Sequence, residues 1–141
     1  MNVIVPGTFD CFHEGHKKLI DYAWLMSGKT TITLAINSGH ISELNGKYSR
    51  DNIFIREENI YKYLMSKDIN AKIHFILNPE DTIKIAKKLA PCFWLTGRDW
   101  DLEKTSIRNE VKETFWEENE IYIVYKDRVP NISSTKERSK K

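Results

Sequence analysis

The sequence predicts a single Rossmann-like, doubly wound α/β domain built on a five-stranded parallel sheet. Apolar or β-branched runs alternate with helix-like stretches along the chain. No internal repeat, low-complexity tract or linker interrupts that alternation. Three loops that follow predicted strands carry unusual chemistry: GTFDCFHEGH, TGRDW and DRVPNISST. An open parallel sheet binds its ligands beyond the carboxyl ends of its strands, so those loops mark the expected site.

Residues 2–6 read as a buried strand. Leu19, Ile20, Ala23 and Met26 share one face, which makes 15–27 a helix, and Gly28 stops it. TTITLAIN alternates and is β-branched, so 30–37 is the second strand. Residues 38–50, with Ser, Gly, Asn and Lys, form a loop before a helix at about 51–65. AKIHFIL is the third strand, and Pro79 suits the first turn of a helix that runs to about Leu89. CFWLTG is the fourth strand, 105–118 a helix, and EIYIVYK the fifth strand. The domain spans 1–141, with a polar tail at about 136–141. Trp24, Trp94 and Trp116 read as core or interface aromatics.

At 141 residues the chain can bury one sizeable core. A net charge of +2 leaves no global basic field for nucleic acid. Cys11 and Cys92 form no C-x-x-C pair, and no secretory h-region opens the chain. Both are therefore expected as reduced thiols in a cytoplasmic protein. No apolar run approaches membrane-spanning length.

The loop after the first strand holds the densest chemistry. Gly7 allows a sharp turn and close approach to a ligand. Gly15 would let a phosphate reach the N-terminus of the next helix, where free N–H groups and the helix dipole favour an anion. His13 and His16 add imidazole donors at the same point. HEGH resembles the zinc motif H-E-x-x-H but is one residue short, and no Cys or His cluster completes a ligand set. Isolated histidines are commonly surface groups or satisfied core groups. Their pairing with two glycines favours an anion site instead. In the last loop, Ser and Thr hydroxyls could join backbone N–H groups around a second anion, or simply cap a helix.

G-T-F-D-x-F-H-x-G-H closely resembles the signature of the cytidylyltransferase-like nucleotidyltransferases. GRDW at 97–100 resembles the G-D-D-W element of the glycerol-3-phosphate cytidylyltransferases, and RVPNISST at 128–135 their R-T-E-G-I-S-T-T element. Order and spacing agree over nearly the whole chain. The resemblance implies that Gly7, Thr8, Phe9, Asp10 and Gly15 surround the nucleotide phosphates. It implies that His13 and His16 stabilise the pentavalent transition state, and that Lys47 holds triphosphate oxygens. Asp99 and Trp100 would lie near the base. Arg128, with Ile132, Ser133, Ser134 and Thr135, would grip the nucleotide and the outgoing pyrophosphate.

Some positions depart from that family pattern. Asn45 stands where a second lysine is common, and Gly39 and His40 occupy a stretch where an acid is common. Lys72 and His74 stand where an aspartate is expected, and Arg98 replaces the first acid of GDDW. These changes fall in the region expected to hold the acceptor, for which Arg56, His74 and Arg98 are the candidate contacts. LMSKD at 64–68 has the wrong order and place for a class I synthetase loop. The implied reaction is CMP transfer from CTP, with Mg2+, to a small phosphorylated alcohol, by a homodimer. sn-Glycerol 3-phosphate is not necessarily the best acceptor. An adenylyltransferase of the FAD, NAD or coenzyme A type is the rival enzyme, and a non-catalytic nucleotide sensor the rival of another class.

Overall fold

The computed structural model describes residues 1–37, 51–77, 79–97 and 115–126. Five strands form one parallel sheet: β1 (Asn2–Gly7), β2 (Ile32–Asn37), β3 (Ala71–Ile76), β4 (Cys92–Gly97) and β5 (Ile121–Lys126). Their order is β3-β2-β1-β4-β5. Every paired neighbour runs parallel, with Val5 opposite Leu34, Ile4 opposite Trp94 and Leu95 opposite Val124. The order reverses between β1 and β4, and sheets of this kind bind ligands beyond the carboxyl ends of strands at that switch point. The predicted fold class is the observed one.

The alternation along each strand divides the core into two layers. Val3, Val5, Leu34, Ile36 and Leu95 point to one face. There they meet α1 (Glu14–Met26), through Ile20 and Ala23, and α2 (Ile53–Ser66), through Ile60 and Leu64. Ile4, Ala35, Ile76 and Trp94 point to the other face. There they meet α3 (Pro79–Leu89), through Ala86, and Trp116 of the short α4 (Phe115–Glu118). β2 is buried along its whole length, whereas β3, at the sheet edge, is largely exposed. Of the expected aromatics, Trp94 is fully buried and meets the mostly buried Trp116 edge-on, ring centres 5.2 Å apart, while Trp24 is half-buried against the first layer.

β2 starts two residues later than its pattern predicts. Ser27 and Gly28 end α1, Lys29 takes a φ of 60°, and Thr30 donates its hydroxyl to the Ser27 carbonyl. Thr30 and Thr31 therefore belong to the turn rather than the ladder. α2 starts later than expected because Asn52 caps it, accepting from the Ile55 N–H at 3.0 Å. The loop expected at 38–50 and most of the helix expected at 105–118 lie outside the described residues. Among the described residues, no helix is long and apolar enough to cross a membrane.

Candidate active site

α1 begins with histidines in the reciprocal arrangement usually made by Ser or Thr with Glu. His13 is the N-cap, and its Nδ1 accepts the Gly15 N–H at 3.0 Å. His16 lies three residues on, and its Nδ1 accepts the His13 N–H at 3.2 Å. The spacing that raised the question of metal binding thus satisfies the first helical turn. It also selects a tautomer. An Nδ1 that accepts a backbone N–H cannot itself carry a proton, so each neutral ring holds its proton on Nε2. The result is two Nε2–H donors at a helix N-terminus beside the switch point, an arrangement suited to developing negative charge.

Gly15 has a more specific reason than ligand approach. A Cβ there would lie 2.8 Å from His13 Cε1 and 3.0 Å from its Nδ1. The His13 ring occupies the space that a side chain would fill. Gly7 similarly makes room for Phe9, whose Cε2 would lie 3.1 Å from an added Cβ. Phe9 and Cys11 take φ values of 55° and 49°. That left-handed geometry is costly for L-residues and is common where function constrains a loop. Burial of the Phe9 side chain in the first core layer compensates for it. Phe9 was expected at the phosphates, but its ring belongs to the core, and only its backbone remains in the loop. Thr8 is half-buried beside it.

Asp10 and Arg56 organise the carboxyl ends of the strands. Asp10 is fully buried and accepts the Asp51 N–H at 2.9 Å. Arg56 is 1% exposed. Its guanidinium donates to the carbonyls of Thr8 at 2.9 Å, Asn37 at 2.5 Å and Asp51 at 3.2 Å. Burial pushes its pKa below the usual value, with Asp10 and then Asp51 acting in the opposite direction. A guanidinium still keeps its charge at neutral pH. The expected acceptor contact Arg56 is therefore an internal clamp between β1, β2 and the start of α2. His74 is exposed on β3 opposite Ala35, on the face of the sheet away from α1. The structure does not bring it to the two histidines.

Lys47, Arg98, Asp99, Trp100, Arg128, Ile132, Ser133, Ser134 and Thr135 lie outside the described residues, as do Gly39, His40 and Asn45. Residue-level reasoning missed Phe12, Asp51 and Tyr63. Phe12 stacks on His16 at 5.6 Å with 11° between the planes, and it stood unremarked within the signature itself. Asp51 and Tyr63 had no local signal. Their partners, Asp10 and Asp21, are 41 and 42 residues away in sequence.

Among the described residues, Asp10, Cys11 and Asp51 form the one group of three candidate metal ligands, their atoms within 4.8 Å of one another. The set fits a cation poorly. Asp10 already binds the Asp51 backbone, and the Arg56 charge acts on both carboxylates.

Fold and site together define an α/β protein whose H-x-G-H segment caps the first helix beside the switch point. The pattern describing the cytidylyltransferase-like family matches residues 4–140, and the chain belongs to that family. A phosphopantetheine adenylyltransferase from Archaeoglobus fulgidus is 39% identical over 80 residues, 56% of this chain and 53% of that one. One from Methanothermobacter thermautotrophicus is 30% identical over 80 residues, 57% and 47% of the two chains. The matched stretch thus spans about half the length of these curated relatives. A crystal structure of an Archaeoglobus fulgidus protein of unknown function superposes with a TM-score of 0.66 at 27% identity, over 94% of each chain. A macrolide-efflux protein from Streptococcus pneumoniae shares the fold at 16% identity and a TM-score of 0.63, over 95% of this chain and 50% of that one.

Proposed function

We propose that the chain transfers a nucleotidyl group from a nucleoside triphosphate to a phosphate oxygen of a small acceptor. The observation that carries this reading is the paired Nε2–H donors of His13 and His16, fixed by backbone hydrogen bonds at the start of α1. The acceptor oxygen attacks the α-phosphorus, the bond to the β-phosphate bridging oxygen breaks, and pyrophosphate leaves. Charge builds on the non-bridging oxygens, and preorganised donors lower that barrier. No protein nucleophile is required. Magnesium would arrive with the triphosphate, held by phosphate oxygens, since the Asp10, Cys11 and Asp51 set does not fit it.

For the nucleotide we adopt ATP, and for the acceptor a phosphopantetheine-type phosphate. The names of the curated relatives support that choice. The departures at Asn45, Gly39 and His40 agree with an acceptor other than glycerol phosphate. A second reading, CTP with a phosphorylated alcohol, draws on the resemblance of 97–100 and 128–135 to cytidylyltransferase elements.

Pyrophosphate release decides between them, measured with ATP or CTP against 4′-phosphopantetheine, sn-glycerol 3-phosphate and a panel of other alcohol phosphates. The highest kcat/KM is expected for ATP with phosphopantetheine. Preference for CTP with an alcohol phosphate would establish the second reading. Tight nucleotide binding with no turnover on any acceptor would favour a sensor.

A further inference from the structure

The geometry points to a second tier of the site: Phe12 is a positioning residue that sets the plane of the His16 ring, and Tyr63 holds Phe12 in place from the neighbouring helix. This rests on the reading of His16 as a phosphate-facing donor. The hydrogen bond at Nδ1 anchors one edge of the imidazole, and rings packed on its faces restrict its plane. Among the described residues, three rings pack on His16: His13 at 3.9 Å and 21°, Phe12 at 5.6 Å and 11°, and Phe9 at 5.4 Å and 50°. Phe9 is anchored in the core and His13 by its cap on Gly15. Phe12 is only partly buried against the core, so it needs a further support.

Tyr63 supplies that support. Its ring meets Phe12 edge-on, with centres 5.9 Å apart and planes at 61°. Tyr63 is itself held by two residues of α1. Its hydroxyl donates to Asp21 Oδ1 at 2.5 Å, and the Lys17 ammonium stands 5.7 Å from its ring centre. Lys17 and Asp21 lie on α1, the helix that carries His16, whereas Tyr63 lies on α2. A strut from α2 therefore returns to α1 at two points, Lys17 and Asp21. The same contacts make the orientation of His16 depend on how α2 docks. Transfer chemistry is sensitive to that orientation, because a donor misplaced by about 1 Å can cost on the order of 100-fold in rate.

The test compares wild type, Phe12→Leu, Phe12→Tyr and Tyr63→Ala by steady-state kinetics and by histidine NMR. Phe12→Leu keeps an apolar side chain but removes the ring. If the proposal holds, it lowers kcat by on the order of 10- to 100-fold, with nucleotide KM changed by less than about 3-fold. Phe12→Tyr restores most of that loss, and Tyr63→Ala reproduces part of it. Long-range 1H–15N spectra report the ring independently of turnover. The His16 carbon-bound proton shifts should move in Phe12→Leu and Tyr63→Ala as the stack is lost, while thermal melts show a folded chain. Normal kcat in Phe12→Leu, or unchanged His16 shifts, would overturn the proposal. Should wild type transfer no nucleotide, the transferase reading fails, and the His16 shifts alone judge the brace.

Discussion

The decisive contacts at the residue scale are those of Gly15, His13 and His16. Gly15→Ala isolates them. The new methyl group meets the His13 ring, which must swing away and give up its cap. Losing a cap costs about 1 kcal/mol, and replacing Gly by Ala within a helix returns about the same. The expected variant is therefore nearly as stable as wild type in urea unfolding, yet slower by on the order of 100-fold, the scale for losing a transition-state donor. Unimpaired turnover would show that the His13 orientation is irrelevant. His16→Ala removes a donor outright. It should lower kcat by on the order of 100-fold or more and change nucleotide affinity much less. Isothermal titration beside single-turnover kinetics separates the two effects.

Arg56 and Cys92 show what particular elements require. Replacing Arg56 leaves the carbonyls of Thr8, Asn37 and Asp51 and the buried Asp10 carboxylate without its donors and charge. Removing one partner from a buried charged network costs about 3–5 kcal/mol. Arg56→Met should lose about that much, and Arg56→Lys should recover little, because an ammonium lacks the planar fork. Denaturant midpoints measure both. Cys92, on β4, lies within the second core layer, and burial pushes its thiol up to about 11 from 9.0. Between those values the unfolded thiol ionises while the folded one keeps its proton. The unfolded state then binds fewer protons, so stability falls as pH rises from 9 to 11. Cys92→Ala should flatten that decline in urea titrations at a series of pH values. Tyr63 is displaced in the same direction, first by burial and then by its bond to Asp21, and adds to the loss at higher pH.

For the whole molecule, the site joins the ends of several strands, so occupancy should stabilise the domain globally. A ligand present at 100 times its Kd adds about 2.7 kcal/mol if it binds only the folded state. Magnesium–ATP should raise Tm by several degrees, and CTP at the same concentration should raise it less. Equal shifts for ATP and CTP would remove nucleotide binding as the basis of the adenylyl choice and leave the acceptor to decide it.

What could be read without a structure was local. The alternation of runs set the five strands, because strand and helix periodicities are written within a few residues. The two histidines were legible as a pair at the start of the first helix because they lie three residues apart with a glycine between them, but their reciprocal capping bonds appeared only in the structure. The roles of Arg56, Asp10 and Tyr63 were not legible. Arg56 reaches Thr8 across 48 residues and Asn37 across 19, and no short-range pattern encodes such a meeting. An arginine near a presumed phosphate site resembles a ligand contact until packing shows that it is buried. The glycine in HEGH was legible as a requirement but not as a reason, since only the folded His13 ring reveals what a side chain would strike. The chain thus specified its elements and its signature through residue patterns close in sequence. Tertiary packing decided which charged groups became internal struts and which rings brace His16, because those contacts arise only when α1, α2 and the strand ends are brought together.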